Sequence, residues 1–174
     1  MKTIEIRRHS IRTPPNDHLS QEGVTLARLV GQNLGPFDRV ITSTLSRAFE
    51  TAIAMGFAVD EQAGLLSSNG ADVETMLPVP QRFEAYGKAF RHGSAVTVYG
   101  KKVAKFYSEV ENFLADGRSA LVVCHSGVIE ISAVSCLPDA DHSALGDSLN
   151  FCEGVRLSWE NGKCVNVEVL RLSI

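Results

Sequence analysis

Residues 3–8 alternate apolar and polar side chains and place Ile4 and Ile6 on one face, the period of a β-strand with one covered side. The spacing then changes. Leu26, Leu29, Val30 and Leu34 recur at helical intervals behind an N-cap position at Ser20, and Gly35-Pro36 ends the run, so a helix is predicted over residues 20–34. Residues 38–42 (Asp-Arg-Val-Ile-Thr) predict a short strand, with Ser43 capping a helix over residues 43–55. Residues 58–91 hold no sustained period; Ser67-Ser68-Asn69-Gly70 and Pro78-Val79-Pro80 break them, and they read as an irregular insertion over the sheet. A long helix follows over residues 98–115, with Gly117 past its end. Residues 120–124 (Ala-Leu-Val-Val-Cys) are continuously apolar, as expected of a strand buried on both faces, and the next helix starts near Gly127. Two last alternating stretches, 154–159 and 165–172, flank Glu160-Asn161-Gly162-Lys163, where Asn-Gly is a hairpin signal.

The order β-α-β-α-insertion-α-β-α-β-β predicts one α/β domain over residues 1–174, a three-layer α/β/α sandwich. Its central sheet is expected to be mostly parallel, with a C-terminal β-hairpin. At 174 residues the chain is long enough to bury a core, and its 44% hydrophobic and 21% charged composition is that of a globular protein. A net charge of −3 argues against a nucleic-acid or membrane-surface partner. No apolar run approaches the roughly 20 residues that span a bilayer, and the first ten residues read as a strand rather than a signal peptide. Cys124, Cys136, Cys152 and Cys164 form no Cys-x-x-Cys pair and are expected as buried apolar side chains in a reducing, cytoplasmic compartment. The strand at residues 165–172 is an edge through which a homodimer could form.

In open α/β sheets ligands bind beyond the carboxyl ends of the strands, and the chemically distinctive residues fall there. Arg8-His9-Ser10 ends the first strand. Ser43 ends the second, with Arg47 in the helical turn that follows. His125-Ser126-Gly127 ends the strand at 120–124. One crevice can therefore gather His9, His125, Arg8 and Arg47. Arginine forks match phosphate oxygens, and the helix N-termini after Ser43 and His125 would add N–H groups and positive dipole ends. One imidazole can then attack phosphorus while the other, protonated, steadies the transferring group. Arg47 sits at the helix end that disfavours a cation, which argues for an anion there; its bland alternative is an ion pair with Glu50. His18 and His142 lie in polar loops and are read as structural.

Three segments carry a resemblance: Ile-Glu-Ile-Arg-Arg-His-Ser with the Leu-Ser-Gln-Glu-Gly that follows it, Val-Ile-Thr-Ser-Thr-Leu-Ser-Arg-Ala-Phe-Glu-Thr-Ala, and Ala-Leu-Val-Val-Cys-His-Ser-Gly-Val-Ile. In order and spacing they are similar to the motifs of the histidine phosphatase superfamily, phosphoglycerate-mutase-like, in its small uncapped branch. The resemblance implies that His9 attacks in line to give a phosphohistidine, that Arg8, Arg47 and His125 hold the three equatorial oxygens, and that water completes hydrolysis without metal or cofactor. Ser10, Arg12 and Ser126 become candidate substrate contacts, Arg12 being either at the pocket mouth or solvated.

Two departures stand out. Ser10 replaces the family's glycine or alanine. Gly64-Leu65-Leu66-Ser67-Ser68-Asn69 replaces the Leu-x-Glu segment that supplies a general acid, leaving Asp72 and Glu74 nearest, with Glu74 as the candidate acid. Without a good acid, alkoxide leaving groups suffer more than aryl phosphates or phosphohistidine. The expected partner is a small phosphorylated substrate or a phosphoprotein. Two competing readings are a sugar-phosphate or phosphoglycerate phosphatase using Glu74, and a phosphate- or phosphoprotein-binding pseudoenzyme. Arg91-His92-Gly93 is the literal family triplet, yet it follows no strand pattern and is expected to be a loop at the pocket rim.

Overall fold

The computed structural model describes residues 1–173. Its first half runs β1 (Lys2–Arg8), α1 (Gln21–Gly31), β2 (Arg39–Thr42), α2 (Ser46–Ala54), β3 (Glu61–Gln62), α3 (Ala71–Met76) and α4 (Phe83–Arg91). Its second half runs α5 (Ala95–Phe113), β4 (Ser119–Cys124), α6 (Val128–Cys136), β5 (Gly154–Glu160) and β6 (Lys163–Leu170). The strands form one sheet in the order β3-β2-β4-β1-β5-β6. Within it β3, β2, β4 and β1 are parallel, while β5 and β6 add an antiparallel hairpin. This is the predicted α/β sandwich.

The continuous apolar run of β4 is explained by cover on both sides. Leu121 and Val123 point with Val40 toward Ala48 and Ala52 of α2. Ala120, Val122 and Cys124 point the other way, with Ile4, Ile6 and Ile41, into the larger core that Val103, Tyr107, Ile129 and Val134 complete. Outside α2, Ala27 and Val30 of α1 pack on Met55 and Cys152. Arg8 pairs with Cys124 and Thr42 with Val123, so β1, β4 and β2 end at one level of the sheet. Among the described residues no helix is long and apolar enough to cross a membrane.

Several local expectations are corrected. Residues 58–91 are not irregular: they add the edge strand β3, a short 3-10 turn at Gly64–Leu66, and helices α3 and α4. Short elements of this kind owe their stability to packing rather than to a long period, and Val73, Phe83 and Tyr86 anchor them in the core. The helix assigned to begin at Ser43 begins at Ser46, because Ser43 continues the ladder from β2 and donates its N–H to Val123 O at 3.0 Å. In α1 the buried stripe is Gly23, Ala27 and Val30, while Leu29 faces outward. The Asn-Gly hairpin forms as expected, with φ of 51° at Asn161 and 73° at Gly162, the left-handed pair that this tight turn demands.

Candidate active site

Ladder hydrogen bonds carry the site residues into place. His9 N–H donates to Cys124 O at 2.9 Å, directly beyond the β1–β4 pairing, and this brings the His9 and His125 rings to 5.2 Å between centroids. His9 Nδ1 lies 2.7 Å from Ser10 O. A carbonyl oxygen only accepts, so Nδ1 carries the proton and Nε2 keeps its lone pair. His125 is held differently: its Nε2 meets Ser43 Oγ at 2.7 Å, from the end of β2. Arg8 donates from Nη1 to Leu149 O at 2.6 Å, and its guanidinium lies 4.4 Å from the centre of the Phe151 ring. Arg47, in the first turn of α2, pairs with Asp17, whose other oxygen accepts the Ser46 N–H at 2.6 Å.

Three polar atoms at this site, Arg8 Nε, Arg47 Nε and His125 Nδ1, are buried with no hydrogen-bond partner among the described residues. Two of them are N–H groups of guanidinium ions, which suits the place to an anion. Burial pushes the His9 imidazole down to about 4; its bond to Ser10 O opposes the fall, and the charges of Arg47, Arg8 and Arg12 add to it. Burial likewise pushes His125 down to about 3, with His9 and Arg47 adding to the effect. Both rings are therefore neutral near pH 7 in this state, and His125 does not carry the positive charge assigned to the second imidazole.

A cavity of about 330 Å³ opens beside the His125 ring, lined in part by Arg47, Ser67, Asn69, Glu74, His125 and Ser126. Residues 58–91 thus form its outer wall. Glu74, on α3, accepts from the Ser68 hydroxyl at 3.1 Å. Ser126 lines the same cavity and donates to Glu130 at 3.3 Å. Arg12 is half-buried, donates to Asn16 O at 3.0 Å, and lies close enough to lower the His9 pKa. Ser10 is a correction: it is fully buried and its hydroxyl donates to Gly23 O at 2.7 Å, which ties β1 to α1 and removes it from a substrate's reach. Arg91-His92-Gly93 is no loop at this rim. It is the C-terminal end of α4, where Arg91 approaches the buried His142.

A second correction concerns the helix ends. Gly127, at a φ of +85°, presents its N–H not to a ligand but to the helix's own Glu130, at 2.6 Å. A Cβ there would lie 2.9 Å from Asn69 Nδ2, so glycine also lets the cavity wall close over the turn. Sequence reasoning missed Glu130, Asp17 and Phe151, and it took Ser43 for a cap rather than the partner of His125. Glu130 left one legible signal, an acidic residue in the third position of its helix. Asp17 left none, since its contact with Arg47 crosses 30 positions of chain.

The model of the histidine phosphatase superfamily (branch 1) matches residues 5–170. No curated protein matches the sequence. Among solved structures, the mycobacterial glucosyl-3-phosphoglycerate phosphatase is similar with a TM-score of 0.71 at 20% identity, over 99% of this chain and 100% of that one. Phosphoserine phosphatase from Entamoeba histolytica is similar with a TM-score of 0.71 at 17% identity, over 99% and 98% of the two chains. Alpha-ribazole phosphatase from Shigella flexneri is similar with a TM-score of 0.66 at 16% identity, over 98% and 96%. At such identities the likenesses establish the fold. The match over residues 5–170 establishes more: the chain belongs to the histidine phosphatase superfamily, branch 1.

Proposed function

We propose that this chain is a phosphatase that hydrolyses a phosphomonoester or a phosphohistidine through a covalent intermediate on His9. The observation that carries the reading is the state of His9: a buried neutral imidazole, its Nδ1–H fixed on Ser10 O, between two arginines with uncommitted N–H groups. Nε2 attacks phosphorus, the bond to the leaving group breaks, and Arg8 and Arg47 hold the oxygens of the transferring group. Water then attacks the phosphohistidine, releasing inorganic phosphate and free His9. Charge that a metal supplies in other phosphoryl-transfer sites comes here from the two guanidinium ions. Arrival of a phosphate dianion raises the His125 pKa, so the second positive imidazole is acquired with the substrate rather than held beforehand.

A second reading, hydrolysis of sugar phosphates or phosphoglycerates with Glu74 as general acid, is favoured by one observation: Glu74 lines the cavity shared by Arg47 and His125. The test is hydrolysis of an aryl phosphate in the presence of chelator by the wild type and by His9→Ala. Turnover that survives chelator and vanishes in His9→Ala supports the mechanism; equal rates overturn it. Phosphate binding with no turnover of aryl, alkyl or phosphohistidine substrates points to a binding pseudoenzyme. A rate that drops in Glu74→Gln for alkyl but not aryl phosphates identifies the second reading.

A further inference from the structure

Glu130 is fully buried in the first turn of α6, and its carboxylate makes contacts the phosphoryl-transfer chemistry does not use. Oε2 accepts the Gly127 N–H at 2.6 Å, while Oε1 accepts the Leu149 N–H at 3.2 Å and the Ser126 hydroxyl at 3.3 Å. Leu149 is the residue whose carbonyl receives Arg8 Nη1, at 2.6 Å. One carboxylate therefore joins the turn carrying His125 to the loop holding Arg8, through the N–H and C=O of one residue, Leu149. Phe151, two residues further along that loop, stacks on Arg8 and lies 5.7 Å from the His9 ring.

We infer that Glu130 is a positioning residue, which fixes Arg8 and the His125 turn relative to each other so that the phosphate cradle is set before substrate arrives. The inference rests on the proposal that Arg8 and His125 bind phosphate. Two physical effects act together. The first is geometric: preorganised donors cost no rearrangement during reaction, and a misplacement of about 1 Å costs on the order of 10²-fold in rate. The second is electrostatic. Burial lowers the Arg8 pKa and the Glu130 charge opposes that fall, while burial pushes the Glu130 pKa up against its hydrogen bonds from Leu149, Gly127 and Ser126. Glu130 touches neither substrate nor reacting atoms.

Inorganic phosphate is the probe for the test, because its binding does not require turnover. Phosphate affinity, thermal stability and aryl phosphatase kinetics are compared for the wild type, Glu130→Gln and Glu5→Gln. Glu5 is a second buried carboxylate, paired with Arg7 at 2.8 Å and Arg156 at 3.0 Å on β1 and β5, so its loss reports the purely structural cost. Glu130→Gln is expected to weaken phosphate about tenfold and to lower kcat on the order of 10²-fold. Glu5→Gln is expected to lose stability while keeping both values within about twofold of the wild type.

Unchanged phosphate affinity in a folded Glu130→Gln overturns the inference. So do losses that merely track those of Glu5→Gln. If the wild type binds phosphate but turns over no substrate, the phosphatase reading fails while phosphate affinity still decides the role of Glu130. A wild type that binds no phosphate ends both. Should Glu130→Gln fail to fold, amide exchange in the wild type decides: Gly127 N–H protected without phosphate, and no more so when saturated, supports the inference. Protection gained only with phosphate overturns it.

Discussion

The exits of β1 and β4 place a buried imidazole at the same level of the sheet, and the two are built differently. His9 is fixed by its own backbone, Nδ1 to the neighbouring Ser10 carbonyl, an acceptor that cannot exchange roles. His125 is fixed by the Ser43 hydroxyl, which both donates and accepts, and its remaining nitrogen has no partner among the described residues. A carbonyl locks a tautomer; a hydroxyl tolerates either protonation state. The first arrangement suits a nucleophile whose lone pair must always be available. The second suits a ring that takes up a proton when a dianion arrives.

Removing the nucleophile tests that division most severely. His9→Ala is expected to lower turnover of an aryl phosphate by about 10⁴-fold or more and to abolish any phosphoenzyme trapped by rapid quench and mass spectrometry. His125→Ala is expected to cost less, about 10²–10³-fold, as for other preorganised oxyanion contacts, while still forming phosphoenzyme. Equal losses, with no phosphoenzyme in either variant, would erase the distinction between the two rings. Ser43→Ala sharpens it further. Releasing the His125 ring without removing it is expected to cost about tenfold in kcat, with the aryl phosphate KM nearly unchanged.

The sequence made one half of this architecture legible and hid the other. Strand exits could be placed because β1 and β4 declare themselves by alternation and by an unbroken apolar run, and both histidines follow directly. What holds those histidines was not legible in the same way. Ser43 looked like a helix cap because serine before an apolar helical stretch usually is one; only the pairing of β2 with β4 puts it against His125. Asp17 reaches Arg47 from a polar loop, and no local period records a contact between distant segments. Glu74 stands out in the sequence only by lying near the segment that lacks the acid, because the helix α3 that carries it to the cavity has no legible period. Six residues are too few for a periodic signal, so the element exists only because Val73 finds the core.

Acidity separates the rings from an ordinary histidine. Above pH 6.5 both are neutral whether the chain is folded or not, and neither lowers stability. Below it, the unfolded chain takes up protons that the folded protein refuses until about pH 4 at His9 and about pH 3 at His125. Stability is therefore expected to fall as pH drops from 6.5 toward 4, measured as urea midpoints across that window. His125→Gln removes one of the two sites and should make the decline shallower; an unchanged slope would mean that His125 is not buried as described. Phosphate binding at pH 7 should draw up to about one proton from solution, read as buffer-dependent heats of binding, and that uptake should disappear in His125→Gln.

Ser10 marks the lower limit of these effects. It is adjacent to the nucleophile, yet its hydroxyl is turned away to Gly23 O while its N–H donates to Thr51 Oγ1 at 2.9 Å. Thr51 in turn donates to the Arg47 carbonyl at 2.6 Å, so this small polar knot fastens β1, α1 and α2 behind the cradle. The part of Ser10 that serves His9 is its carbonyl, which any residue supplies. Ser10→Ala deletes one buried hydrogen bond, while the Gly23 carbonyl keeps its place in the α1 ladder, a loss of about 0.5–1.5 kcal/mol in stability. In kcat/KM it is expected to stay within about twofold of the wild type. A much larger kinetic loss at full folding would show that the side chain holds His9 as well as the backbone does, and the lock on the nucleophile would then resemble that on His125.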